Sequence, residues 1–237
     1  MANLEKIAKN KYISSHDEIV SEIEKNTLLL TVNPHSISES LLSDKCLRMY
    51  EGPAKLICDG IGWKYILKVF FEKHVPRITG HEFYKTVLTY CKSHNKDIVL
   101  IGDVQKLAKL KDKLKHEMCN NIDLIDFPYV QLDSINEQLI DEVFDSERLE
   151  DSIAFIFISA PKQELIASLL HAKIHSTFFV PVGAVIDYEI GLVKVPPKFV
   201  RILGIEWLHR MVFNFHHVRY RSFKSILRLI KVLIVSK

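Results

Sequence analysis

Short runs of β-branched and aromatic residues recur along the chain, each ending at a polar or glycine corner that opens a helical pattern. No other feature constrains the fold as much. Thr27 to Val32 breaks at Asn33-Pro34, Ala54 to Cys58 at Asp59-Gly60, and Asp97 to Ile101 at Gly102-Asp103. Ile153 to Ser159 ends in Ala-Pro-Lys-Gln-Glu, and Thr177 to Val182 ends in Gly183-Ala184. Ile122 to Ile125 reads as a further strand. Helical patterns are expected over His35 to Met49, Ile61 to Lys73, His81 to His94, Val104 to Met118, Ser134 to Phe144 and Glu164 to Lys173. Near-continuous apolar strands alternating with helices predict a Rossmann-like α/β fold: a mostly parallel sheet with helices on both faces. Ligands of such sheets bind outside the carboxyl ends of the strands. Gln163, Glu164 and Gly183 fall there, as do Thr31 and Asn33, Asp59 and Gly60, and Gly102.

At 237 residues the chain is long enough for one substantial core. One large α/β domain is expected over residues 1–200, with a helical appendage over 201–237. The 48% hydrophobic and 26% charged composition is that of an ordinary globule. Cys46, Cys58, Cys91 and Cys119 show no close pairing, which predicts reduced thiols in a cytosolic setting. The opening MANLEKIAKNKY is charged throughout, so no signal peptide is expected. No stretch has the roughly 20 nearly uncharged residues that span a bilayer.

The net charge of +3 is unevenly placed. Residues 218–237 hold Arg219, Arg221, Lys224, Arg228, Lys231 and Lys237 and no acid, leaving −3 for residues 1–217. In this tail Phe223, Ile226, Leu227, Ile230, Leu233 and Ile234 recur at helical spacing, opposite Arg221, Lys224, Arg228 and Lys231. A basic amphipathic helix of this kind suits an anionic membrane interface. Packing onto the domain is the ordinary alternative. Nucleic acid is not expected, because the body is acidic and no recognition module is visible.

The candidate chemistry lies at the strand ends. Asp59 has glycines at 60 and 62, which let a ligand approach the backbone closely; its ordinary role would be a helix cap. Thr31, Asn33 and Gln163 offer neutral hydroxyl and amide groups suited to a sugar, although each also has a plain structural role. Arg77 sits on the connector Val75 to Gly80, where a solvated arginine would be unremarkable. The Gly-x-Gly-x-x-Gly dinucleotide fingerprint is missing, and no Asp-x-Asp pair is present to hold a metal-bound sugar nucleotide. His171 and His175 lack an obvious third ligand, so no metal site is expected.

The ordered string APKQE, then VGAVIDYEIGLVKVPPKF, then LGIEWLHR, resembles the WecG/TagA/CpsF family of glycosyltransferases. The chain departs from the family pattern at Val195-Pro196-Pro197, where Arg-Ala-Pro is usual, and at His216-His217, where an arginine usually follows. The resemblance implies an inverting, metal- and cofactor-independent enzyme, peripheral on the cytoplasmic face of the cell membrane, acting in surface polysaccharide assembly. It would move a sugar from a UDP-sugar to a polyprenyl-diphosphate-linked acceptor sugar. N-acetylmannosamine is the leading sugar, followed by its uronic acid and glucose. Asp59 is implied as the general base, and Thr31, Asn33 and Gln163 as contacts to the donor sugar. Arg77 is implied at the leaving diphosphate; Arg210, Arg219, Arg221, Lys224, Arg228 and Lys231 serve the acceptor phosphates and the membrane. A scaffolding paralogue and a sugar-nucleotide-modifying enzyme are the alternatives, and a homo-oligomer is left open.

Overall fold

In the computed structural model, residues 2–118, 120–194, 197, 200, 225, 227–229 and 231–233 are described. The six apolar runs form strands β1 (Leu29–Val32), β2 (Lys55–Cys58), β3 (Ile98–Gly102), β4 (Ile122–Asp126), β5 (Ile153–Ile156) and β6 (Phe178–Pro181). Every pairing between them is parallel. Hydrogen bonds order four strands as β4-β3-β5-β6 and pair β1 with β2. β1 lies alongside β6, and the Thr31 hydroxyl reaches the Pro181 carbonyl at 3.4 Å. Residues 11–13 bond to Leu56 along the other edge of β2.

Alternation along the strands explains why helices cover both faces. Leu30, Val32, Leu56, Cys58, Val99, Ile101, Ala154 and Ile156 point into one core. Leu29, Ile57, Ile98, Leu100, Ile153 and Phe155 point into the other. The first core is covered by α1 (Ala2–Lys9), α3 (Pro34–Ser40), α4 (Asp44–Arg48), α5 (Ile61–Phe71), α8 (Glu137–Val143) and α9 (Lys162–Lys173). The second is covered by α2 (His16–Glu24), α6 (Gly80–His94), α7 (Val104–Glu117) and α10 (Val185–Glu189).

Two local readings change and one element is added. The single helix expected over residues 35–49 is two, because the chain leaves the helix after Leu41 and Ser43 restarts it from an extended conformation. The charged N-terminal stretch forms α1, held by burial of Leu4, Ile7 and Ala8. The helix expected from Ser134 is a 3-10 turn at Leu132–Ser134 followed by α8, which starts where the Asn136 side chain caps Leu139 N–H.

Of the basic tail only part is described, and there Arg228 differs from its expected placement. Arg210, Arg219, Arg221 and Lys224, with the 200/201 boundary, lie outside the described residues. Residues 225, 227–229 and 231–233 are helical, and Leu229 and Leu233 are buried in the first core. Ser225 meets His35 Nδ1 at 2.9 Å. Arg228, expected on a membrane-facing side, turns inward: its Nη1 donates to Glu39 Oε1 at 2.9 Å and to the Ser38 carbonyl at 3.1 Å. A charged acceptor and a backbone carbonyl at one place hold a guanidinium better than solvent does. Lys231 is exposed. Among the described residues no helix is long and apolar enough to cross a membrane.

Candidate active site

The site lies on the carboxyl edge where β1, β2, β5 and β6 end. Asp59 follows β2, and its N–H continues the ladder by donating to Val32 O at 2.8 Å. It stands one residue before the N-cap of α5. Gly60 holds the N-cap position of α5 at φ 109°, with no side-chain cap, a conformation glycine adopts without a Cβ penalty. A β-carbon on Gly80, at the start of α6, would lie 3.7 Å from Asp59 Oδ2, 3.8 Å from Val185 Cγ2 and 3.9 Å from Val182 O. The carboxylate therefore faces the space between the α6 N-terminus and the end of β6. Ile78 N–H donates to Cys58 O at 3.1 Å, which fixes the 75–79 connector beside β2 and brings Arg77 to the same corner. Burial and the Asp59 charge push the Cys58 thiol up to about 12, while Lys64 and Arg77 oppose the shift.

A buried polar cluster joins three strand ends behind Asp59. Glu164 Oε1 accepts from Thr31 Oγ1 at 2.8 Å and from Gln163 Nε2 at 2.7 Å. All three side chains are buried. Burial raises the Glu164 carboxyl to about 7; the Gln163 and Thr31 hydrogen bonds act against that shift, and the Asp59 charge adds to it. Gln163 Oε1 and Glu164 Oε2 are buried without hydrogen-bond partners. Gly183, at φ 53°, closes over the cluster: a β-carbon there would come within 3.0 Å of Gln163 Oε1 and 3.3 Å of Ile158 O.

Asn33 is placed at the corner, but its oxygen is committed. Oδ1 accepts from His35 N–H and Ser36 N–H at 2.9 Å each, and Ser36 Oγ accepts from Asn33 N–H, a reciprocal cap for α3. Only its amide NH₂ remains to meet a ligand. Gly102 lies apart from Asp59, at the end of β3, where the backbone passes close to Phe157: a β-carbon would be 3.2 Å from its carbonyl oxygen.

Gly102 opens onto a cleft of about 390 Å³ lined by Asp103, Asp126, Phe127, Tyr129, Phe157, Ser159 and Lys162. A smaller cleft of about 200 Å³ shares Asp103, Phe157 and Ser159 and continues to Lys106, Gly183 and Asp187. Neither cleft includes Asp59; Gly183 is the link, since it lines the smaller cleft and touches Gln163. Tyr129 is 90% exposed, with Lys162 Nζ 4.8 Å from its ring centroid. Lys106 pairs with Asp187 at 2.8 Å. The sequence reading missed Tyr129, Lys162 and Lys106 as site candidates. The strand-end rule applied to β4 would have drawn attention to the Phe-Pro-Tyr that follows it. Among the described residues no group of His, Cys, Asp and Glu could hold a metal ion.

A parallel sheet that gathers a carboxylate, a hydroxyl, an amide and an arginine at its carboxyl edge, beside a cleft of small-molecule size, has the form of an α/β ligand site. The comparisons carry the class further. Residues 2–237 match the family described as the glycosyl transferase WecG/TagA/CpsF family, and the chain belongs to that family of glycosyltransferases. It is 21% identical over 224 residues to an N-acetylglucosaminyldiphosphoundecaprenol N-acetyl-beta-D-mannosaminyltransferase of Bacillus spizizenii, covering 91% of this chain and 81% of that one. It is 20% identical over 197 residues to the protein of the same name from Staphylococcus aureus NCTC 8325, covering 81% and 74%.

Proposed function

We propose that the chain transfers a sugar, with N-acetylmannosamine the leading candidate, from a UDP-sugar to a polyprenyl-diphosphate-linked acceptor sugar in surface polysaccharide assembly. The observation that carries this reading is Asp59: a carboxylate at the mouth of β2, facing the space between the α6 N-terminus and the end of β6, in front of a buried Thr31–Glu164–Gln163 cluster and beside Arg77. The names of the relatives supply the lipid-linked acceptor and the sugar.

In this reaction the acceptor hydroxyl oxygen attacks the anomeric carbon and the bond from that carbon to the phosphate oxygen breaks. UDP leaves with the electron pair, and a single displacement inverts the anomeric centre. Asp59 takes the hydroxyl proton as the bond forms. Arg77 meets charge developing on the leaving diphosphate. Thr31 and Gln163, held by Glu164, face the sugar end, while the larger cleft offers Tyr129 and Phe127 as flat surfaces for the base. Because the sequence has no Asp-x-Asp pair, arginine serves the phosphates in place of a metal. The test is incubation with a panel of UDP-sugars and a short-chain lipid-diphosphate-GlcNAc acceptor, in the presence of excess EDTA. Transfer from UDP-N-acetylmannosamine is expected. Absence of transfer from every donor would overturn the reading, and a strict need for magnesium would overturn its metal-free mechanism.

A further inference from the structure

Helix α5 breaks the pattern of the other helices. A helix on the surface of a soluble domain carries polar residues on its outer side. α7 does so, burying Leu107, Leu110 and Leu114 and exposing Lys109, Asp112, Lys115, His116 and Glu117. α5 reads IGWKYILKVFF: Trp63 and Leu67 are buried, yet the opposite side still carries large apolar groups. Tyr65 is 59% exposed, Val69 67% and Phe70 38%. All three are among the eight large apolar side chains left exposed in the described residues; Tyr65 and Val69, one turn apart, share the outer side, and Phe70 lies on the flank toward Trp63. Lys68 is exposed beside them and Lys64 is half-buried, whereas Lys73 turns inward onto the Ala8 and Asn10 carbonyls. A helix face with exposed aromatic and aliphatic groups flanked by Lys64 and Lys68 complements a surface that is apolar below and anionic above.

Position strengthens the case. α5 begins two residues after Asp59 and runs back from the carboxyl edge, so Tyr65 stands about 6 Å along the helix from Ile61. In the described part of the C-terminal helix Leu229 and Leu233 turn into the core and Arg228 onto Glu39, while Leu227 and Lys231 are exposed. We propose that the outer face of α5, centred on Tyr65 and Val69, lies in the interfacial layer of an anionic bilayer and holds the Asp59 edge of the sheet at headgroup level. This rests on the lipid-linked acceptor proposed above, which would present its diphosphate and sugar at that level.

The test uses the full-length protein and co-sedimentation with vesicles of phosphatidylcholine alone or mixed with phosphatidylglycerol. Tyr65→Gln with Val69→Gln, both at exposed positions, should leave the thermal midpoint unchanged and weaken binding to the mixed vesicles about tenfold. Lys68→Glu, with the apolar face intact, should weaken binding severalfold on the mixed vesicles only, and added salt should have the same effect on the wild type. Transfer to a detergent-dispersed short-chain acceptor should stay near the wild-type rate in both variants. Wild-type vesicle binding by the double variant would overturn the proposal. So would loss of self-association in that variant without loss of vesicle binding, which would make the face a contact between copies. If the wild type transfers no sugar in detergent, the functional reading fails, while the vesicle measurement still decides the fate of the α5 face.

Discussion

Thr31 and Glu164, 133 positions apart, share a 2.8 Å hydrogen bond with both side chains buried, and this bond ties the end of β1 to the start of α9. The Glu164 carboxyl is held up at about 7 from its ordinary 4.5, chiefly by burial. Its proton is therefore bound more tightly in the folded protein than in the unfolded chain. Below about 4.5 both states are protonated and burial has no charge penalty. As pH rises through the interval up to about 7 the unfolded chain ionises first, and stability is lost.

Glu164→Gln should remove that dependence while keeping an oxygen for Thr31 and Gln163. Relative to the variant, the wild type should lose on the order of 3 kcal/mol between pH 4.5 and 7. Urea unfolding at pH 4.5, 6 and 7.5 would measure it. Parallel curves for the two proteins across that range would show that Glu164 is not held in its protonated form by the fold.

Asp59→Asn should lower turnover by roughly 10²–10⁴-fold, the scale of a lost acid–base group, with little change in donor binding. Asparagine keeps the shape of the side chain, so the fold should be retained and donor binding with it. A drop in stability with near-normal turnover would return Asp59 to a structural role.

The positions of the six strands were legible because their apolar runs are bounded by Asn-Pro, Asp-Gly, Gly-Asp and Val-Gly corners, and the parallel pairing followed from their two-faced burial. Thr31, Gln163, Glu164 and Gly183 could be placed on one edge by the strand-end rule, and the structure brings them into contact. What the sequence did not reveal depends on packing. Asn33 looked like a ligand contact, but its oxygen bonds two N–H groups of α3. Arg228 looked like a solvated charge on an amphipathic helix, because Glu39 is distant in sequence and only folding brings it near. The outer face of α5 was not legible either: helical spacing groups Trp63 with Leu67, but only burial shows that Tyr65 and Val69 on the other side stay exposed.

Gly183→Ala should disturb the donor end of the site. At φ 53° a side chain is strained by about 1–2 kcal/mol, and the added carbon would meet Gln163 Oε1 at 3.0 Å. The expected result is a thermal midpoint lower by a few degrees and a KM for the donor raised severalfold, because Gln163 must shift. Unchanged donor KM would separate Gly183 and Gln163 from sugar recognition.

The C-terminal helix calls for a different test from the one its charge pattern suggests. Deleting residues 218–237 would remove six positive charges, but it would also uncover the surface now covered by Leu229 and Leu233. Loss of vesicle binding in such a truncation would therefore mix membrane contact with unfolding. Arg228→Ala isolates the docking. It removes the pair with Glu39 and the hydrogen bonds to Ser38, groups that are only partly exposed, and should cost about 1 kcal/mol. Protease cleavage within the last twenty residues should speed up several-fold, while vesicle binding falls by much less than in the Tyr65→Gln/Val69→Gln variant. A cleavage rate equal to that of the wild type would mean that Leu229 and Leu233 hold the helix without Arg228. A loss of vesicle binding as large as that of the α5 variant would move the membrane contact back to the tail.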